Sequence, residues 1–134
     1  GLSQMQRLDE FITKRHVIAK RYDQLLSPLP LQVPWQHADS YSSYHLYVIR
    51  LKLDEINKTQ RQVYDALHTA EILVNLHYIP VYRQPYYEQM GFRTGYCRLA
   101  EQYYFDVISI PMYPGLTEVL QNQVVETIRE VVGA

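Results

Sequence analysis

The residues with the most chemistry to offer lie between positions 74 and 87. There VNLHYIPVYRQPYY places His77, Tyr78, Tyr82, Arg83, Gln84, Tyr86 and Tyr87 in a stretch interrupted by Pro80 and Pro85. Imidazole, phenol, guanidinium and amide groups donate and accept hydrogen bonds in defined directions, which is the chemistry of recognising a polar small molecule. The two prolines restrict the backbone, so less conformational freedom is lost when a ligand arrives. The same density suits a tyrosine-rich loop that caps a sheet, and the residue types alone leave both readings open. For His77 singly, a satisfied structural imidazole and a ligand contact are the two alternatives.

Other chemistries are not signalled. Five histidines and one cysteine include no pair at metal-ligand spacing, and His37, Asp39 and His45 lack a second acidic ligand nearby, so no metal site is expected. No P-loop, nucleophile elbow or G-x-G-x-x-G fingerprint is present to cradle phosphate. Cys97 lies between Arg93 and Arg98 and reads as a packing residue. A single cysteine makes no internal disulfide, which fits a reducing compartment and makes a cytoplasmic location the expectation. With 13 basic and 14 acidic side chains the formal net charge is −1, so no summed field draws nucleic acid or an anionic membrane surface. Neither a run of roughly 18 apolar residues nor a basic then apolar leader occurs, so neither a membrane span nor a signal peptide is expected. Thirteen tyrosines against three phenylalanines supply amphipathic rings suited to half-buried surfaces.

The elements that must position these groups are read from periodicity. Residues 1–26 read as one helix with two apolar stripes: Met5, Leu8, Ile12, Ala19, Tyr22 and Leu26 form one, and Phe11, Ile18 and Leu25 the other. The second stripe, together with Leu2, predicts packing on something outside the chain and self-association of the isolated domain. Prolines 28, 30 and 34 predict an extended loop over 27–43. Alternation predicts a strand over 44–53, with His45, Tyr47, Ile49, Leu51 and Leu53 on one face. Asn57 or Thr59 is positioned to cap a helix running to about His68, and a second strand is predicted over 72–76. A helical turn over 85–90, a helix over 98–105 and a third strand over 107–110 follow. Thr117 then caps a last helix with the stripe Leu120, Val124, Ile128 and Val131. Three short strands are too few for a sheet covered on both faces. The expected fold is therefore an α+β two-layer sandwich, a single domain over 1–134 with its core in 44–134.

The blocks GLSQMQRLDEFITKRHVIAKRYDQLL, SYHLYVIRL, NLHYIPVYRQPYYEQMGF and AEQYYFDVISIPMYPGLTE cover nearly the whole chain. They resemble the DegT/DnrJ/EryC1/StrS family of sugar-nucleotide aminotransferases, and especially its branch that aminates UDP-linked 4-keto-6-deoxy hexoses on the way to pseudaminic acid. The resemblance implies the C-terminal small domain of a fold-type-I enzyme that uses pyridoxal phosphate (PLP). Its larger amino-terminal domain would hold the cofactor phosphate and the Schiff-base lysine, glutamate would usually donate the amino group, and the full-length enzyme would be a homodimer. The likeness begins after that lysine. Lys14, Lys20, Lys52 and Lys58 lie on segments unlike the family's lysine motif, so no catalytic or cofactor-binding residue, and no PLP bound by this chain alone, is expected.

Carried over by motif, His77 and Tyr78 of the HYIP block, with Tyr82 and Gln84, are the implied substrate-binding residues for a UDP-sugar. The alternative function is a stand-alone protein-interaction or nucleotide-sugar-binding module derived from such an enzyme. Two positions depart from the family. Glu71 and Leu73 stand where members usually carry glycines, which strains any turn there that needs a positive φ, and Arg98 stands where proline usually follows the cysteine.

Overall fold

A computed structural model describes residues 2–133, with side chains described from Gln4 onward. The element order is α1 (Leu2–Met5), α2 (Leu8–Leu26), β1 (Leu31–Gln32), β2 (Tyr47–Leu51), α3 (Gln60–Thr69), a 3-10 turn (Val81–Arg83), α4 (Pro85–Gln89), α5 (Arg98–Asp106), β3 (Val107–Ile110) and α6 (Glu118–Val132). The strands form one antiparallel sheet in the order β1, β2, β3. This is the expected α+β class.

Register decides what the sheet presents on each face. Tyr47 pairs with Ile110, Ile49 with Ile108, and Leu31 with Leu51, so these side chains share one face, and all six are buried. Helices α2, α3 and α6 cover that face, contributing Ile18, Tyr22 and Leu26, Val63 and Leu67, and Val124, Val125 and Ile128 to the same core. Val48 pairs with Ser109 and Arg50 with Val107 on the opposite face. There the Arg50 guanidinium reaches Asp106 at the end of α5, 2.9 Å away, so α5 leans on the sheet's outer side.

Two of the expected strands need correction. Residues 72–76, expected as a strand, bury Ile72 and Val74, yet their backbone makes only one bridge, from Asn75 to Ser109. The third strand comes instead from the proline-rich segment read as loop: Leu31 and Gln32 pair with Leu51 and Arg50. Prolines hold neighbouring residues extended, and an edge strand tolerates the missing donors. The strand expected over 44–53 is trimmed to Tyr47–Leu51, because Tyr44 adopts a φ of +45° and the chain turns after Leu51.

The first helix is not continuous, since α1 and α2 are separated at Gln6 and Arg7. Its burial is also one-ended: Ile18, Ala19, Tyr22 and Leu26 are buried while Met5, Leu8 and Val17 are exposed. The side chain of Leu2, counted in the outward stripe, lies outside the described residues, as does Gly1. The last helix buries Gln121, Val124, Val125, Ile128 and Val132 and leaves Leu120 exposed, a rotation of the expected stripe toward Gln121. That rotation is satisfied chemically, because the Gln121 amide donates to the Ile18 carbonyl at 2.8 Å and accepts from Arg21 at 3.2 Å.

Caps set the helix ends. Thr59, rather than Asn57, starts α3 through a capping box with Gln62. Thr117 accepts from the Leu120 amide to start α6, and Gly133 at φ +77° ends it. Helix α3 closes with a Schellman motif: the Ile72 amide donates to the Leu67 carbonyl at 2.9 Å and the Glu71 amide to His68 at 3.0 Å. That motif requires a left-handed residue, and Glu71 supplies it at φ +61°. The strain expected from a non-glycine residue is therefore present. Left-handed geometry costs an L-residue about 1–2 kcal/mol, while glycine raises unfolded-chain entropy by roughly half of that. Glu71→Gly is thus expected to stabilise the domain by about 0.5–1 kcal/mol, raising Tm by a few degrees in a thermal melt. A lower Tm would refute the strain argument.

Candidate functional site

The candidate recognition segment leaves the sheet at Asn75, whose backbone exchanges hydrogen bonds with Ser109 at 3.0 and 2.8 Å. Two residues later the His77 ring crosses back to the same residue, its Nδ1 lying 2.8 Å from the Ser109 hydroxyl oxygen. Whichever tautomer forms, the serine hydroxyl supplies the complementary role, so Nε2 is left as the free nitrogen. Among the described residues Nε2 has no hydrogen-bond partner. Ser109 points to the outer face of the sheet, so His77 sits over that face, half-buried and fixed by β3.

Tyr78 follows across a cis peptide bond, 72% exposed, with its ring edge-on to His77 at 4.6 Å. Gln84 is exposed as the residue before Pro85 at the start of α4, and its amide nitrogen on the backbone caps the 3-10 turn by donating to Val81. Its side chain makes no hydrogen bond among the described residues. The structure therefore brings His77 and Tyr78 into contact and leaves Gln84 with free amide groups on the same excursion.

Tyr82 is used differently. Its hydroxyl lies 2.8 Å from Glu101 Oε1 and 3.0 Å from the Cys97 carbonyl, and it accepts from the Cys97 amide at 3.3 Å. One phenolic proton serves one acceptor, and the carboxylate is the stronger. Burial, reinforced by that acceptor, pushes the phenol above its ordinary pKa, so it remains a donor at neutral pH. Glu101 is buried on α5 and also accepts the Gly95 amide at 2.8 and 3.0 Å, with the Arg83 guanidinium 3.9 Å away. The Gly95 amide first, then the Tyr82 hydroxyl, hold its carboxyl below the usual range. Gly95 stands at φ +89°, a conformation that turns its N–H inward at little cost only because it lacks a Cβ.

Asn75, Ser109 and Glu101 were not singled out in the sequence. Glu101 lies 19 residues from Tyr82 and 6 from Gly95. No periodicity links such positions, so only the folded loop reveals their meeting. Cys97, read as packing, is exposed and precedes α5, where Arg98 occupies the first helical position that proline would suit.

Rings tie the rest of the excursion together: Tyr82 with Tyr96 at 5.3 Å, Tyr96 with Phe92 at 5.0 Å, and Phe92 with Tyr87 at 6.2 Å. A cavity of about 430 Å³ beside Arg50, Lys52, Asp54 and Asp106, and one of about 470 Å³ between Leu73, Tyr113, Leu116 and Leu120, both lie away from residues 77–84.

Three of the four lysines are held by neighbouring groups. Lys14 Nζ is 2.6 Å from Glu10, Lys52 Nζ is 3.2 Å from Glu55, and Lys58 Nζ donates to the Val131 carbonyl at 2.7 Å. Lys20 is exposed on α2. None of the four lysines bonds to His77 or Tyr78 among the described residues. Among them no cluster of three or more metal-ligating side chains occurs, and no helix is long and apolar enough to cross a membrane.

Comparison with known proteins adds the context for this geometry. The chain is 33% identical over 135 residues to the spore coat polysaccharide biosynthesis protein SpsC of Bacillus subtilis, covering 98% of this chain and 35% of that protein. It is 32% identical over 124 residues to the UDP-4-amino-4,6-dideoxy-N-acetyl-beta-L-altrosamine transaminase of Helicobacter pylori, covering 91% of this chain and 32% of that one. Among solved structures, Helicobacter pylori PseC, an aminotransferase involved in the biosynthesis of pseudoaminic acid, matches with a TM-score of 0.89 at 26% identity, over 99% of this chain and 36% of that chain. Spr1654 of Streptococcus pneumoniae in its PLP-form matches with a TM-score of 0.89 at 25% identity, over 99% and 34%. The chain thus spans about a third of the length of the curated relatives it matches. Residues 1–129 match the sequence pattern shared by one group of enzymes, and on that match the chain belongs to the DegT/DnrJ/EryC1/StrS aminotransferase family.

Proposed function

We propose that this chain is the substrate-side domain of a longer, homodimeric, PLP-dependent aminotransferase that transfers an amino group from an amino acid to a nucleotide-linked keto-deoxy sugar. The reading rests on the His77 ring, held by Ser109 with Nε2 unpartnered beside the exposed Tyr78. A ketosugar offers hydroxyl and carbonyl oxygens at spacings that an imidazole, a phenol and the Gln84 amide can each meet with one hydrogen bond. Tyr82 belongs to the same site as the residue that sets its frame. UDP is the favoured nucleotide and the 4-keto carbon the favoured acceptor, because one Helicobacter relative is named a UDP-4-amino-4,6-dideoxy-N-acetyl-beta-L-altrosamine transaminase.

PLP, held by the larger domain, would supply an electron sink that lets the amino group leave its donor as the corresponding oxo acid and enter the sugar in place of the ketone oxygen. The work assigned to this chain is binding and orientation. His77 and Tyr78 fix the sugar ring, Gln84 adds a donor and an acceptor, and the excursion covers the reacting face against water.

The test uses the complete protein with PLP, L-glutamate and a panel of UDP- and dTDP-linked 4-keto-6-deoxy sugars, following 2-oxoglutarate release and amino-sugar formation. Turnover of at least one ketosugar by the complete protein, and none by residues 1–134 alone, is the expected pair of results. Aminated sugar from the isolated chain, or none from the complete protein with any member of the panel, would overturn the proposal.

A further inference from the structure

We propose that Glu101 is the positioning residue of the recognition segment, acting through the Tyr82 hydroxyl and the Gly95 amide to hold residues 77–97 in their binding shape. The inference rests on the substrate-side reading above and names the group responsible for its preorganisation.

The case begins with burial. From Asn75 to Ala100 no side chain is buried, and Val81, Tyr86, Met90, Tyr96 and Leu99 are all more than 60% exposed. A 26-residue excursion without a core of its own has little hydrophobic force to fix it, so its shape depends on specific polar contacts. Those contacts converge on one carboxylate. Glu101 projects from the rigid α5, is itself buried, and takes the Tyr82 hydroxyl from the start of the excursion and the Gly95 amide from its end. Tyr82 then closes a second loop, its hydroxyl oxygen accepting the Cys97 amide at 3.3 Å. One anion thereby joins the 3-10 turn that follows the HYIP block to the glycine turn that precedes α5. Charge-assisted hydrogen bonds in a shielded place are the strong kind, and here both carboxylate oxygens are engaged, Oε1 by the Tyr82 hydroxyl and both by the Gly95 amide. Tyr82 and Glu101 satisfy each other, which leaves them unavailable to substrate and makes their effect on it indirect.

Two substitutions in the complete protein separate this from a bulk structural role. Glu101→Gln keeps the size and loses the charge and one acceptor, and Tyr82→Phe keeps the ring packing on Tyr96 and loses only the hydroxyl. Each is expected to raise KM for the ketosugar by roughly ten-fold, with kcat and the KM for the amino donor within about two-fold of wild type. Hydrogen exchange of the amides in residues 91–97, followed by mass spectrometry, is expected to speed up by at least about ten-fold in both variants while the sheet amides are unchanged. Exchange in 91–97 that stays at the wild-type rate in both variants overturns the inference whether or not the enzyme turns over any sugar. Equal losses on donor and sugar sides also overturn it, since they would mark a general folding defect. Failure of the wild-type protein to aminate any ketosugar condemns the functional reading instead, and the exchange result then still decides the role of Glu101.

Discussion

Alanine at position 77 is expected to lower kcat/KM for the nucleotide-linked ketosugar by about a hundred-fold in the complete enzyme, with the donor half of the reaction nearly untouched. The ring loses one outward nitrogen that no described residue satisfies, and the sugar group it would have met is left unpaired in a water-poor site. Leaving such a group unsatisfied costs about 1–3 kcal/mol, the upper half of which corresponds to that factor. Ser109→Ala supplies the control. It keeps the imidazole but frees it to rotate, so a smaller loss of about ten-fold is expected, confined to KM. Steady-state kinetics with varied sugar and varied donor read both effects. Wild-type kinetics in His77→Ala would remove the imidazole from the site.

The second large effect falls on stability. Tyr47 is fully buried on the core face of β2, its ring 5.0 Å from Tyr22 and its hydroxyl donating to Asp23 at 2.5 Å. Burial, followed by the Asp23 contact, drives the phenol pKa well upward, so the proton stays on the oxygen and the bond persists across the working pH range. Removing the ring leaves a cavity at the centre of the sheet. Tyr47→Ala is expected to cost about 3–5 kcal/mol, a third or more of the stability of an ordinary domain. Tyr47→Phe keeps the packing and strands the carboxylate, for about 1–3 kcal/mol. Urea denaturation of both variants checks the order. Equal losses would assign the whole effect to the hydroxyl, and a Tyr47→Ala protein as stable as wild type would contradict the burial.

How far these features could be foreseen depended on whether they were local. The cap at Thr117 and the alternation of Tyr47, Ile49 and Leu51 are set by neighbours in sequence and were legible, while the start of α3 was narrowed to Asn57 or Thr59 and its capping box with Gln62 was not read. The pairing of Leu31 with Leu51 was not, because a two-residue edge strand between prolines carries no period to detect. Gln121 was missed for another reason. A polar side chain on a buried stripe looks like an error until the Ile18 carbonyl on a distant helix is seen to need it. The candidate site shows the same division. His77, Tyr78, Tyr82 and Gln84 were visible as residue types, and their family likeness supplied a role. That Tyr82 faces inward to Glu101 while His77 leans on Ser109 follows from contacts 19 and 32 residues apart in sequence. Likewise Glu71 and Leu73 were marked as standing where glycines are customary, but that Glu71 alone of the two takes a positive φ, and that Schellman bonds demand it, emerged only with α3 in place.

The seating of α2 on α6 carries a mechanical consequence. Nineteen residues at about 1.5 Å each make a rod about 28 Å long, clamped at its carboxyl end by Ile18, Ala19, Tyr22 and Leu26 and keyed in rotation by Gln121. Its amino end, with Leu8 and the start of the rod uncovered, is the long arm of a lever whose fulcrum is the core. The start of the rod therefore stands clear of the core that holds its other end.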